Sequence, residues 1–122
     1  MIKNATKKRI IVKKFEIAKT PWKKTKGLMF RKELAKGSGL LMIFERERKH
    51  GIWMLGMRFP IDIVFIDSRK RIVDIRHSVK PVGRHPKTWR VYKPSKPSKY
   101  VLEVNSRLVK RSGTDIGDFL EF

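Results

Sequence analysis

Apolar positions along this chain fall mostly in short runs with the period of a β-strand. In residues 8–18 (KRIIVKKFEIA), Phe15 and Ile17 alternate with Lys14 and Glu16, which predicts a strand with one buried and one wet face. Leu40-Leu41-Met42-Ile43-Phe44 is apolar at every position and predicts a central strand covered on both sides. The charged stretch 45–51 reads as a connection. Residues 52–55 and 59–67 predict two strand segments split by Gly56 and Pro60; Pro60 has no amide to donate, so it belongs at a strand start, an edge or a bulge. Asp67-Ser68-Arg69-Lys70 is a turn in which Asp67 can accept from its own backbone. With residues 71–77 following, 59–77 reads as a hairpin. Residues 100–104 and 117–122 predict two further strands.

Helical signals are fewer. Thr20 before Pro21 is an N-cap followed by a residue whose missing amide costs a first helical turn nothing. The expected helix turns Trp22, Leu28 and Met29 towards the core. Ser106 as N-cap, Lys110 and Arg111 in a last turn and Gly113 as a stop predict a second short helix. Six or more short strands with one or two short helices predict a mainly β fold: one compact sandwich, jelly-roll-like or barrel-like domain over residues 1–122.

Charge adds a second layer to this picture. Of 122 residues, 31 are Lys or Arg and 11 are Asp or Glu, a net charge of +20. Residues 1–36 hold 13 basic and 2 acidic side chains, and residues 76–100 hold 8 basic and none acidic. A field of that size attracts polyanions such as nucleic acid. The alternative is a solvated cationic surface of a thermophilic protein, although thermophile surfaces are enriched in Glu as well. The chain has no cysteine, which excludes disulfides, zinc–thiolate sites and a Cys nucleophile. The longest apolar run near the N-terminus, Ile10-Ile11-Val12, is too short for an export signal, and no stretch has the length of a membrane span. A cytoplasmic protein without membrane contact is the expectation.

Candidate chemistry is sparse. Asp62 is the one charge inside the apolar strand 59–67, which ends on the turn residue Asp67, and Glu103 is similarly placed in 100–104, on a face with Val101 and Asn105. A buried carboxylate has to be paired, hydrogen-bonded, protonated or set at an opening. One reading brings Asp62 and Glu103 together in a cleft with Trp53 and Met54, as an acid–base pair or a cation site. The other makes each a structural acid holding a cation or capping backbone amides. His50, His77 and His85 are scattered without ligand spacing, so neither a metal nor another cofactor is expected. Gly37-Ser38-Gly39 is a turn, not a nucleophile elbow, and no phosphate-binding loop occurs. Segment 78–99 carries four prolines, and Arg84, Lys87, Trp89, Arg90, Tyr92 and Lys93 interleave cations with rings there. That composition suits stacking on single-stranded nucleic acid, or equally aromatic anchors under a wet loop.

Five motifs follow in one order: Gly27-Leu28-Met29-Phe30-Arg31, Gly39-Leu40-Leu41-Met42-Ile43-Phe44, Trp53-Met54 with Pro60-Ile61-Asp62-Ile63-Val64-Phe65, Tyr100-Val101-Leu102-Glu103, and Gly117-Asp118. Together they resemble the domain of unknown function 192 family over roughly residues 15–122, with 1–14 as a basic N-terminal segment. The resemblance implies a compact mainly β sandwich or jelly-roll-like fold and no established activity, cofactor or substrate. Two departures stand out. Gly56-Met57 replaces an Asn-Thr pair usual after Trp-Met, and Gly39-Leu40-Leu41-Met42 replaces Gly-Met-Leu-Phe. The reading that follows is a non-catalytic binding or accessory module, with Arg31, Trp53, Met54, Asp62 and Glu103 as pocket candidates. Its alternatives are a nucleic-acid binder using 1–36 and 76–100, or a hydrolase using Asp62 and Glu103.

Overall fold

The computed structural model describes residues 1–83, 85, 87 and 89–122. In chain order the strands are β1 (Ile2–Asn4), β2 (Arg9–Val12), β3 (Lys14–Ala18), β4 (Ser38–Arg48), β5 (Ile52–Trp53), β6 (Ile61–Ile66), β7 (Ile72–Val79), β8 (Val91–Tyr92), β9 (Ser98–Asn105) and β10 (Leu120–Glu121); the helices are α1 (Pro21–Lys26) and α2 (Leu108–Arg111). A central five-stranded sheet runs β3-β4-β9-β6-β7, a three-stranded sheet runs β10-β1-β2, and β5 pairs with β8. The fold is mainly β, and among the described residues no barrel closes. No described helix is long and apolar enough to cross a membrane.

Both faces of the central sheet are covered, which is why β6 is apolar at every position except Asp62 and all six of its residues are buried. On one face Leu41, Val64, Leu102 and Val104 pack against Ile2, Val12 and Leu120 of the three-stranded sheet. The opposite face sets Leu40, Met42, Ile63, Phe65 and Val101 against Leu28, Ile52, Met54 and Met57 from the segments around α1 and β5. Each fully buried Ile or Leu contributes roughly 1.5–3 kcal/mol. The β6–β7 hairpin is present, and the Asp67 carboxylate accepts from the amides of Arg69 and Arg71, both at 2.9 Å.

Four expectations change. The strand expected over 8–18 is two strands in different sheets. At the break the amides of Lys13 and Lys14 both donate to the Gly37 carbonyl, at 2.8 and 3.2 Å, and β3 then runs parallel to β4 as an edge strand. The stretch expected as a charged connection is largely strand, since β4 continues through Glu45 to Arg48 with exposed side chains. Trp22 is not a core residue: α1 has no buried residue, and Trp22 is 73% exposed. The basic N-terminal segment, finally, is woven into the fold, with Ile2 and Val12 fully buried.

Candidate functional site

Asp62 and Glu103 are not brought together. In the antiparallel pairing of β6 with β9, Asp62 faces Val104 and Ile63 faces Glu103. Side chains alternate across a sheet, so the two carboxylates leave it on opposite faces. Asp62 is fully buried and accepts three backbone amides: Ser78 at 2.7 Å and Arg107 at 3.3 Å on Oδ1, and Val109 at 3.0 Å on Oδ2. Two of these sit at the start of α2. Arg107, at φ 75°, holds the N-cap position with no side-chain cap of its own, and the expected cap Ser106 bonds the Ser78 hydroxyl instead. Asp62 therefore caps that helix from a distant strand, a task no local spacing announces.

Glu103 has the opposite character. It is 3% exposed, and among the described residues no hydrogen-bond donor reaches its carboxyl. Burial pushes its pKa up to about 7, opposed by the field of the Arg31 guanidinium. Arg31 itself is committed to Glu16 of β3 through a two-pronged ion pair, with Nη2 to Oε1 at 3.1 Å. That pair is largely solvent-exposed and stabilises little on its own.

The carboxyl lies at the floor of a pocket of about 340 Å³ between α1, β4 and β5, with Trp53, Phe44, Met42 and Met57 among its walls and Lys24 and Lys26 at its rim. The local sequence builds this opening. Thr20 Oγ1 accepts from the Lys23 amide at 3.2 Å and starts α1. Gly27 ends it at φ 48° and ψ −126°, where L side chains are strained, and its amide donates to the Lys23 carbonyl. A Cβ at Gly27 would lie 3.2 Å from Met42 Cε and 3.4 Å from Glu103 Oε1. The glycine thus lets backbone pass directly over the acid.

Of the residues singled out from the sequence, Trp53 and Glu103 line this pocket. Arg31 lines an adjoining surface depression with Trp22 and Lys26. Met54 is fully buried in the core beneath. Lys24, Gly27, Met42, Phe44 and Met57 were not anticipated; the stop at Gly27 after a lysine-rich turn was the one available signal. The Gly56-Met57 departure lies on this side of the sheet, not beside Asp62, because Met57 is a pocket wall. Met42, in the other departure, is a wall as well.

His50 stacks on Phe44 with ring centroids 3.7 Å apart, and its Nε2 lies 2.8 Å from the Arg46 carbonyl. His77 and His85 are exposed. Among the described residues no group of three potential ligands is gathered to hold a metal ion. Of the nucleic-acid candidates, Arg84 lies outside the described residues. Lys87, Trp89, Arg90 and Lys93 are exposed, and Tyr92 is half-buried against the core. Trp89 keeps 45% exposure while its Nε1 donates to the Gly83 carbonyl at 3.1 Å.

Comparison with known proteins gives one consistent result. The family described as "DUF192: Uncharacterized ACR" matches residues 2–122. A UPF0127 protein of Pyrococcus furiosus is 32% identical over 124 residues, covering 98% of this chain and 95% of the relative. A UPF0127 protein of Thermococcus kodakarensis is 29% identical over 122 residues, covering 100% and 73%. Both come from thermophilic archaea. Among solved structures, a protein of unknown function from Novosphingobium aromaticivorans superposes with a TM-score of 0.86 at 28% identity, covering 99% of this chain and 81% of that one. A Sinorhizobium meliloti protein described as a candidate transcription regulator gives 0.80 at 34% identity, covering 88% and 79%.

Proposed function

The chain belongs to the DUF192 family, an uncharacterised one, and on that premise we propose that it is a cytoplasmic, non-catalytic binding module whose ligand site is the pocket over Glu103. One observation carries this reading. A carboxyl that is buried, unbonded and aimed into an apolar cavity is costly to the fold, and such groups cluster at binding sites. A two-carboxylate hydrolytic mechanism has no comparable support, because the sheet stands between Asp62 and Glu103.

Methionine-methyl NMR tests the reading. Three of the five methionines, Met29, Met42 and Met57, line the pocket. Titration with octanol, octanoate and octylammonium is expected to move these three methyl resonances with at least one probe and to leave Met1 in place. If none of the three probes moves them, the pocket is not a ligand site.

A second reading is favoured by Trp89, which stays 45% exposed beside Arg90 in the acid-free segment 76–100. A half-open ring among cations suits base stacking on single-stranded nucleic acid, and the Sinorhizobium relative's description as a candidate regulator points the same way. Under this reading Trp89→Ala weakens binding to a single-stranded oligonucleotide well beyond Lys87→Ala. Equal losses that vanish with salt would reduce it to bulk charge.

A further inference from the structure

Resting on the reading of the Glu103 pocket as a ligand site, we propose that its ligand is a small amphiphilic organic anion, with an apolar tail over Glu103 and a carboxylate at the Lys24–Lys26 rim. The walls decide the tail. Trp53 and Phe44 offer rings, Met42 and Met57 offer adaptable thioethers, and a cavity of about 340 Å³ holds a chain or ring of modest size. Charge decides the head. Lys24 and Lys26 make no ion pair among the described residues, whereas Arg31 is already satisfied by Glu16. The Lys24 ammonium rests 4.3 Å from the Phe44 ring centroid, directly beside the mouth. With +20 over the whole chain, an organic cation has to climb a repulsive potential to enter, while an anion is drawn in.

Glu103 sets the pH at which this works. A tail laid over its carboxyl removes the last contact with water and favours the neutral acid, so binding is linked to proton uptake. The charged and titratable groups around it are Lys24 and Lys26 on α1, Arg31 after that helix, Glu16 on β3, His50 after β4 and Lys93 beside Gly51. His50 is the imidazole in this set, so His50→Gln is the necessary control.

Isothermal titration calorimetry with octanoate, octanol and octylammonium separates the outcomes, with the methionine methyls reporting location. Octanoate is expected to bind at least tenfold tighter than octylammonium, and Lys24→Gln with Lys26→Gln is expected to bring it down to the level of octanol. Octanoate affinity is expected to rise as pH falls from about 8.5 to about 6, in the wild type and in His50→Gln, and to be flat in Glu103→Gln. If octylammonium binds tighter and moves Met29, Met42 and Met57, the site stands and the anionic ligand is overturned. If octanoate binds without moving those methyls, or no probe moves them, both readings fall. A pH-independent wild type overturns the role given to Glu103.

Discussion

Asp62 and Glu103 stand on adjacent strands one position out of register, so each buries its carboxyl on a different face of the same sheet. The consequence is a division of labour. Asp62 spends its oxygens on three backbone amides, while Glu103 has no donor among the described residues and faces a cavity. Two acids that look alike in the sequence therefore respond differently to the same substitution.

Asp62→Ala is expected to cost about 3–5 kcal/mol, because it strands buried amides at Ser78 and at the start of α2. Asp62→Asn keeps an acceptor and is expected to cost about 1–3 kcal/mol. Urea unfolding measures both. Losses below about 0.5 kcal/mol would remove the capping role.

Glu103 gives the opposite sign. In the unfolded chain it ionises near its ordinary 4.5, and in the fold it ionises at about 7. Between those values the folded state holds a proton that the unfolded state has released, so stability falls as pH rises through that window and levels off above it. The full cost is about 3 kcal/mol. Glu103→Gln removes the charge, so it is expected to flatten stability between roughly pH 5 and 8 and to exceed the wild type above neutrality. A wild type whose stability rises over that range would contradict the assignment.

Much of this fold was legible from pattern alone. The 59–77 hairpin, the Asp67 turn and the Thr20-Pro21 helix start all come from local chemistry, and local chemistry is what a sequence displays. What escaped depends on distant pieces. The break between β2 and β3 is made by the Gly37 carbonyl, the cap of α2 by Asp62, and the walls of the pocket by Lys24, Met42, Phe44 and Met57 from separate segments. Strand alternation did contain one decisive fact. The face of each carboxylate could be read from either strand alone, and only the register between β6 and β9 was needed to part them.

Gly27→Ala is expected to lose about 1–3 kcal/mol, since φ 48° with ψ −126° strains any side chain and the new methyl presses on Met42 and Glu103. Differential scanning calorimetry checks it. A neutral substitution would mean that the turn over the acid is not tightly held.

Trp22→Ala is expected to change stability by less than about 0.5 kcal/mol, as its ring is 73% exposed and α1 buries none of its residues. A large aromatic normally signals core, so chemical denaturation of this variant discriminates sharply. A loss above about 2 kcal/mol would return Trp22 to the core that its sequence suggested.

The carboxyl carbon of Glu103, followed by NMR across pH with and without octanoate, reports both the burial of this acid and its cover by a ligand. A midpoint at about 7 is expected in the free protein, shifted upwards when octanoate is bound. A midpoint near the ordinary 4.5, unmoved by the probe, would mean that Glu103 is neither buried in a pocket nor beneath a ligand.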